Sequence, residues 1–367
     1  MLCILKKNGK LHTDFNLWEQ NDNMVKDMTL FPDQDIICND MARVAYCSKL
    51  DMSKVYEQIC IVLEHVQKTA FATVLGTFRS QVMQMGDCNA PSRFQRLMTA
   101  IFWDCISRFI HVYLDDKFIY SHSIEEHEKH LGIAFQWLRD CHLFLSKSKV
   151  DLYSKRLECL GHIIDDWGIH TDADKMQHIC EWWHPRTFND VQQFLGLVQY
   201  LAHYTPDISA YTTPIWGCVR NGHLFEWMPL LDKCFESIKT LAWKAPILKP
   251  INYDNLDPIW VITNGSKAGV GAVYGQGPDW KTCRPAGFMS KKFSNAQQHY
   301  WTHKHKTIAV LEALMKWEDK LLGRKFTLVM DHKGLEYFET QKNLSDRQVQ
   351  WWGSSLDSIT PSCTLMA

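Results

Sequence analysis

The chain has 367 residues, 46% of them apolar, and a formal net charge of −1, so it is long enough for two or three domains with cores of their own. No apolar run approaches the ~20 residues of a membrane-spanning helix, and Met-Leu-Cys-Ile-Leu at the start is too short for a signal peptide, with its lysines on the wrong side. Thirteen cysteines without a Cys-x-x-Cys pair read as reduced thiols, which points to an intracellular, cytoplasmic or nuclear protein with no membrane partner; near-neutral charge excludes a uniformly basic nucleic-acid coat but not a locally basic groove.

Residues 1–25 carry Lys6-Lys7-Asn8-Gly9-Lys10, a charged hairpin-like turn. Val44–Leu50 and Met52–Tyr56 are strand-like runs on either side of Asp51. Met83–Met98 opens with a Gly/Asn/Pro turn and continues as a helix predicted over about 89–106. In Phe109–Tyr120 two short runs of β-branched and aromatic residues flank Asp115 and Asp116, a strand, tight turn, strand signature with both carboxylates near the tip. A helix follows over about 124–144, started by a capping box of Ser123 and Glu126, with Leu131, Phe135, Leu138 and Cys141/His142 on one face.

Beyond Leu160-Gly161-His162, a helix from Asp190 to Tyr204 places Val191, Phe194/Leu195, Val198 and Leu201 in one apolar stripe. A further helix over about 230–243 stops before Ala245-Pro246, a domain boundary. Ile259–Thr263 and Gly269–Tyr274 read as a hairpin, 297–322 as a long helix and Phe326–Met330 as a strand, giving a β-β-α-β order.

Adjacent carboxylates at a hairpin tip have no core to join and repel each other, so a hard divalent cation is their natural complement. Alone, an Asp-Asp pair is most simply a polar turn. Asp51 on a neighbouring strand changes that reading, because three carboxylates can hold two metals about 3.5–4 Å apart, an arrangement that activates a 3′ hydroxyl and stabilises the leaving pyrophosphate. That is the chemistry of nucleotidyl transfer.

The ordered motifs Leu50-Asp51-Met52-Ser53 with Tyr56, Asn89-Ala90-Pro91 through Phe94-Gln95-Arg96-Leu97-Met98, Tyr113-Leu114-Asp115-Asp116 and Leu160-Gly161-His162 resemble the reverse transcriptase of gypsy-type LTR retrotransposons, fungal ones in particular. Phe194–Leu201, Val261–Ser266 and Asp331-His332-Lys333 resemble that family's connecting segment and RNase H-like domain, so the resemblance spans about residues 1–352. It implies an α+β fold: a reverse transcriptase region with partial fingers and palm over 1–165, a thumb or connection over 166–245, an incomplete RNase H-like α/β domain over 246–352 and a divergent tail over 353–367.

The resemblance further implies an RNA-directed DNA polymerase of a transposable element, extending a primer on an RNA or DNA template with dNTPs and Mg²⁺ or Mn²⁺. Asp51, Asp115 and Asp116 then take the place of the catalytic metal ligands, assisted by the Met52 carbonyl, and Tyr56 lies beneath the incoming sugar, where it would clash with a 2′ hydroxyl. Gly86, Asn89, Ala90 and Pro91 would shape the nucleotide pocket, and Lys149, or equally Lys147, would stand near the pyrophosphate. Primer identity and oligomeric state stay open.

Several positions depart from the family. Lys117 replaces an apolar residue and, by strand alternation, is expected on the face of Asp115, where it would compete with a metal. Val55, Arg93, His12 and Asn16 are also atypical. An RNase H-like site needs four carboxylates and two metals, yet here Asn264 and Lys306 stand where acids belong and Asp331 alone remains. RNA cleavage by that domain is therefore expected to be absent. Trp103, Trp167, Trp183, Trp301, Cys38, Cys180 and His12 occupy positions read as arginine, and Asn16, Asn264 and Lys306 positions read as acids. Each change needs only one G·C to A·T transition, the pattern of a retroelement copy decayed by cytosine deamination. The alternative to an active polymerase is thus a catalytically silent relic that at most binds nucleic acid.

Overall fold

A computed structural model describes residues 2–5, 11–14, 16–73, 75–220, 225–267, 269–331 and 363–366. The chain divides into two units, Met1–Leu160 and Gly161–Ala367. In the first, Leu2–Leu5 pairs antiparallel with Leu11–Asp14; the turn Lys6–Lys10 expected between them lies outside the described residues.

The centre of the first unit is a four-stranded sheet built from Tyr46–Asp51 (β1), Ile110–Tyr113 (β2), Asp116–Ser121 (β3) and Asp151–Ser154 (β4), in the order β2-β3-β1-β4. Antiparallel register sets Asp51 opposite Asp116 and Tyr113 opposite Asp116, leaving Leu114 and Asp115 as the turn. The helices Ala90–Ile101 (α1) and Ile124–Asp140 (α2) share a core with the sheet in which Leu50, Phe94, Met98, Ile110, Ile119, Leu131 and Leu138 are buried. Pro91 sits in the first turn of α1, where a missing N–H costs nothing.

Two expectations for this unit need correction. Helix α2 ends at Asp140, and its buried face is His127, Leu131, Ala134 and Leu138, with Cys141 exposed. A histidine is tolerated there because Ser121 Oγ lies 2.9 Å from its Nδ1 and Ser48 Oγ 2.7 Å from its Nε2, so neither ring nitrogen is left unpaired. The run Met52–Tyr56 is not a strand. Lys54 takes a left-handed conformation (φ 46°) and Val55–Gln58 forms a 3₁₀ turn, held by the Gln58 side chain donating to the carbonyls of Ser53 and Phe144.

In the second unit, the hairpin His162–Asp165 (β5) and Gly168–Thr171 (β6) precedes four helices, Ala173–Cys180 (α3), Phe188–Val198 (α4), Ile208–Arg220 (α5) and Pro229–Trp243 (α6). A reciprocal capping box of Thr187 and Asp190 starts α4. The expected stripe of Val191, Phe194, Leu195, Val198 and Leu201 is buried, packed with Phe235 and Ile238 of α6.

Next comes a five-stranded sheet of Ile259–Gly265 (β7), Gly269–Gln276 (β8), Arg284–Lys292 (β9), Phe326–Val329 (β10) and Cys363–Met366 (β11), ordered β9-β8-β7-β10-β11. Strand β9 escapes sequence reading because Pro285 and Gly287 interrupt its pattern; proline is tolerated there because β9 is an edge strand. Residues 363–366, within the stretch read as a divergent tail, pair in parallel with β10 and supply the fifth strand, while 353–362 lie outside the described residues. The long helix is shorter than expected, Thr302–Lys316 (α7), with Trp317 separating it from a short turn of helix. Val261, Ile308, Leu311, Leu314 and Leu328 form the core, to which β8 contributes Val270, Ala272 and Tyr274.

Candidate active site

Local geometry gathers the first unit's acids at one end of its sheet. Asp51 ends β1, Asp116 begins β3, and Asp115 lies next to Asp116 in the β2–β3 turn. The turn is conformationally costly: Leu114 has φ 50°, a left-handed conformation that costs a residue with a Cβ about 1–2 kcal/mol. Its N–H donates to Gln95 Oε1 at 2.8 Å, and Gln95 Nε2 donates to the Val112 carbonyl at 3.1 Å.

Each flanking carboxylate has a lysine. Lys49 Nζ lies 3.1 Å from Asp116 Oδ2, and Lys149 Nζ 3.2 Å from Asp51 Oδ2. Lys149, not Lys147, is therefore the lysine that reaches the acids. Burial raises the proton affinity of Asp116; Lys49 opposes that shift, and the charges of Asp115 and Asp51 add to it. Three mutually repelling carboxylates with hard oxygen donors suit a divalent cation. Among the described residues, however, no three His, Cys, Asp or Glu side chains are drawn together as a metal shell, and the two lysine pairs account for how Asp51 and Asp116 are held in this arrangement.

Lys117 lies on the core face of β3, as strand alternation gives, with both its register partners Leu50 and Val112 buried. Its side chain is fully buried, with Nζ donating to the carbonyls of Leu114 at 3.0 Å and Asp115 at 3.1 Å, and lying 4.9 Å from the Phe94 ring centroid. Burial lowers its pKa to about 7 despite the neighbouring acids. Tyr56 meets the same Phe94 ring edge-on, with centroids 6.1 Å apart, and its hydroxyl pKa is raised by burial and then by Asp115.

The expected pocket residues form a scaffold around the start of α1. Gly86 has φ 97°, a conformation that favours glycine, and its carbonyl accepts from Asn21 Nδ2 at 2.9 Å. Asn89 is buried and fastens an extended segment, accepting from the Asp27 N–H and donating to the Val25 carbonyl. It also lines a cavity of about 880 Å³ with Asp87, Arg93, His65 and Met24. Ala90 is fully buried and Pro91 fixes the helix start.

The second unit has its own acid position, at the ends of β7 and β10. A Cβ on Gly265 would lie 2.5 Å from the His305 carbonyl oxygen, so its absence lets α7 approach β7 closely. Lys306 on α7 thereby reaches Asn264 Oδ1 at 2.8 Å and Asp331 Oδ2 at 2.5 Å. An ammonium stands between the two oxygens, and only one of the three groups is a carboxylate. This donor set does not fit a divalent ion.

Comparison with known proteins agrees with this geometry. Residues 6–164 match the family described as reverse transcriptase (RNA-dependent DNA polymerase), and residues 254–357 match the RNase H-like domain found in reverse transcriptase. The chain thus carries a reverse transcriptase domain and an RNase H-like domain of the kind found in reverse transcriptases. It is 27% identical over 332 residues to the retrovirus-related Pol polyprotein from transposon 297 of Drosophila melanogaster, covering 90% of this chain and 31% of the relative. It is 28% identical over 290 residues to the transposon Tf2-3 polyprotein of Schizosaccharomyces pombe, covering 78% of this chain and 22% of the relative. The chain spans under a third of those polyproteins' lengths. The fold is that of the foamy viral protease-reverse transcriptase solved with double-stranded DNA, at TM-score 0.84 and 20% identity, covering 99% of this chain and 76% of that one. The same viral protein with an RNA/DNA hybrid aligns at TM-score 0.77 and 21% identity, covering 99% of this chain and 49% of that one.

Sequence reading missed Lys49 and Gln95. Lys49 carried a signal, since residues i and i−2 share a strand face and place it beside Asp51. Gln95 carried none, because its role depends on a turn 19 residues away.

Proposed function

We propose that the first unit is a template-directed nucleotidyltransferase, an RNA-directed DNA polymerase that extends a primer on RNA or DNA with dNTPs. The observation that carries this reading is the register of β1 against β3, which aligns Asp51 with Asp116, itself next to Asp115 in the β2–β3 turn. Asp51, Asp115 and Asp116 would hold Mg²⁺ or Mn²⁺, which when bound activates the primer 3′ hydroxyl and steadies the pyrophosphate. Lys149 and Lys49 supply counter-charge to the carboxylates until an ion replaces them, and Lys149, whose side chain is 63% exposed, is free to swing toward a triphosphate. Tyr56, braced edge-on by Phe94, presents an aromatic wall that excludes a 2′ hydroxyl. Gly86, Asn89, Ala90 and Pro91 shape the nucleotide pocket, Asn89 by fastening residues 25–27 beside it.

The domain plan that accompanies this reading is fingers remnant and palm over 1–165, thumb or connection over 166–245, an RNase H-like domain over 246–352 and a tail over 353–367. The RNase H-like region does not cleave RNA, because Lys306 occupies the space between Asn264 and Asp331. Nucleic-acid duplexes are the natural partners, in keeping with the foamy viral enzymes solved with DNA and hybrid. A second reading, a silent relic that binds nucleic acid without extending it, is favoured by one observation: both flanking carboxylates are already neutralised by lysines. Primer extension on an RNA template across a Mg²⁺ and Mn²⁺ titration separates the two. Product that depends on metal and is lost in Asp115→Asn supports the polymerase; retained duplex binding with no product in either metal supports the relic.

A further inference from the structure

We infer that Lys117 and Gln95 act together as a side-chain clamp that fixes the Leu114–Asp115 turn from beneath and so aims the Asp115 carboxylate. The inference rests on the polymerase reading for its purpose but not for its geometry.

A two-residue hairpin turn exposes backbone groups that the ladder cannot satisfy. In hairpins, left-handed positions of this sort go to glycine, asparagine or aspartate, but here a leucine holds φ 50°. The surrounding structure must therefore hold the turn in place. Gln95 grips its amide side: Oε1 accepts from Leu114 N–H at 2.8 Å, while Nε2 donates to Val112 O at 3.1 Å. Lys117 grips its carbonyl side: Nζ donates to Leu114 O at 3.0 Å and Asp115 O at 3.1 Å. Both side chains are nearly inaccessible, at 1% and 0% exposure, so neither group has water as an alternative partner. Four backbone contacts on three turn-proximal residues, Val112, Leu114 and Asp115, thus come from two buried side chains.

Phe94 links the clamp to the sugar wall. Lys117 Nζ lies 4.9 Å from the centroid of that ring, and Tyr56 packs edge-on against it. The family resemblance places an apolar residue at position 117, so an amine that holds turn carbonyls is this chain's own device. Lys117 and Gln95 touch neither substrate nor metal position; they are positioning residues, acting through the backbone of Asp115.

The competing interpretation, in which Lys117 repels a metal from the acid pair, makes the opposite prediction. The test uses the full chain labelled with ¹⁵N-leucine, comparing the unmodified protein with Lys117→Met and Gln95→Met. Amide exchange at Leu114 is read against Leu50 and Leu131, and Mn²⁺ affinity is followed by electron paramagnetic resonance. The clamp predicts Leu114 exchange faster by about tenfold in either variant, the scale of one lost buried hydrogen bond, with Leu50 and Leu131 unchanged. It also predicts weaker Mn²⁺ binding in Lys117→Met, although a positive charge has been removed. Unchanged Leu114 exchange, or tighter Mn²⁺ binding in Lys117→Met, would overturn it. If the unmodified chain binds no Mn²⁺, the polymerase reading fails, while the exchange measurement still decides whether the clamp exists.

Discussion

The two units each gather polar site side chains at the end of a sheet, and they treat a lysine in opposite ways. In the first, Lys49 and Lys149 sit beside the carboxylates and Lys117 lies beneath them, so all three acids remain. In the second, Lys306 lies between the two oxygens that a metal would need, and only Asp331 keeps its charge. Yet the second unit retains a full core around Val261, Ile308, Leu314 and Leu328. An apolar core is independent of the charges at exposed or site positions, so the fold by itself does not fix the chemistry.

The largest expected effect sharpens this contrast. Asp115→Asn should reduce primer extension by about a thousandfold or more, equivalent to about 4 kcal/mol of transition-state stabilisation. The same change at Asp331 should leave extension intact. Equal losses from both, measured in single-turnover extension, would erase the distinction between the units.

The tryptophans divide along the same line. Trp260 is buried and donates from Nε1 to the Gly277 carbonyl at 2.7 Å, so Trp260→Phe should cost about 1–3 kcal/mol by leaving that carbonyl unpaired and a void beside it. Trp103, Trp167, Trp183 and Trp301 are 72%, 73%, 56% and 75% exposed, positions at which an arginine would reach solvent. Trp103→Arg should change stability by less than about 0.5 kcal/mol in urea denaturation. A large loss there would show that Trp103 has been recruited to packing. Cys38 does not fit the arginine pattern: it is buried, with its sulfur 3.8 Å from that of Cys159, a site with no room for a guanidinium. If differences from sister copies in the source genome were mostly transversions, the transition-driven account would be wrong.

Acid should separate the units by a smaller amount. Burial lowers the pKa of His127 below its ordinary 6.5, with His130 lowering it further. The unfolded chain then binds the extra proton more readily, so this contribution is present in full above pH 6.5 and is lost as pH falls below that value. Part of the first unit's stability should disappear as pH falls from neutrality to 5. His127→Gln should flatten that slope in denaturation midpoints, and an unchanged slope would assign the effect to other groups.

The smallest effect belongs to Lys306. Asp331 is 58% exposed at its side chain, so the ion pair is strongly screened, and Lys306→Met should cost about 1 kcal/mol or less by losing the bond to Asn264. Asn264→Asp with Lys306→Glu should create measurable Mn²⁺ binding in the second unit. If the unmodified second unit already bound Mn²⁺ as tightly, Lys306 would not be closing the site.

Much of this was legible in the chain. Strand alternation and turn residues located the Asp115–Asp116 hairpin, and the 3.6-residue repeat found the stripe on α4. Register brought Asp51 to the hairpin as anticipated. What the sequence hid were tertiary partnerships. The hydroxyls that permit His127 on an apolar face come from β1 and β3. Alternation turns Lys117 inward, but it cannot show that the ammonium ends on two carbonyls of a left-handed turn. Strand β9 escaped because Pro285 and Gly287 mimic a loop, and the fifth strand because its pairing with β10 spans more than thirty intervening residues.

One measurement tests the central contrast directly. The intact chain is given an RNA template labelled at its 5′ end, annealed to a DNA primer carrying a second label, with dNTPs and Mg²⁺ or Mn²⁺. The account predicts metal-dependent primer extension that Asp115→Asn abolishes, while the RNA stays full length throughout. RNA fragments that disappear in Asp331→Asn, with no primer extension, would contradict it.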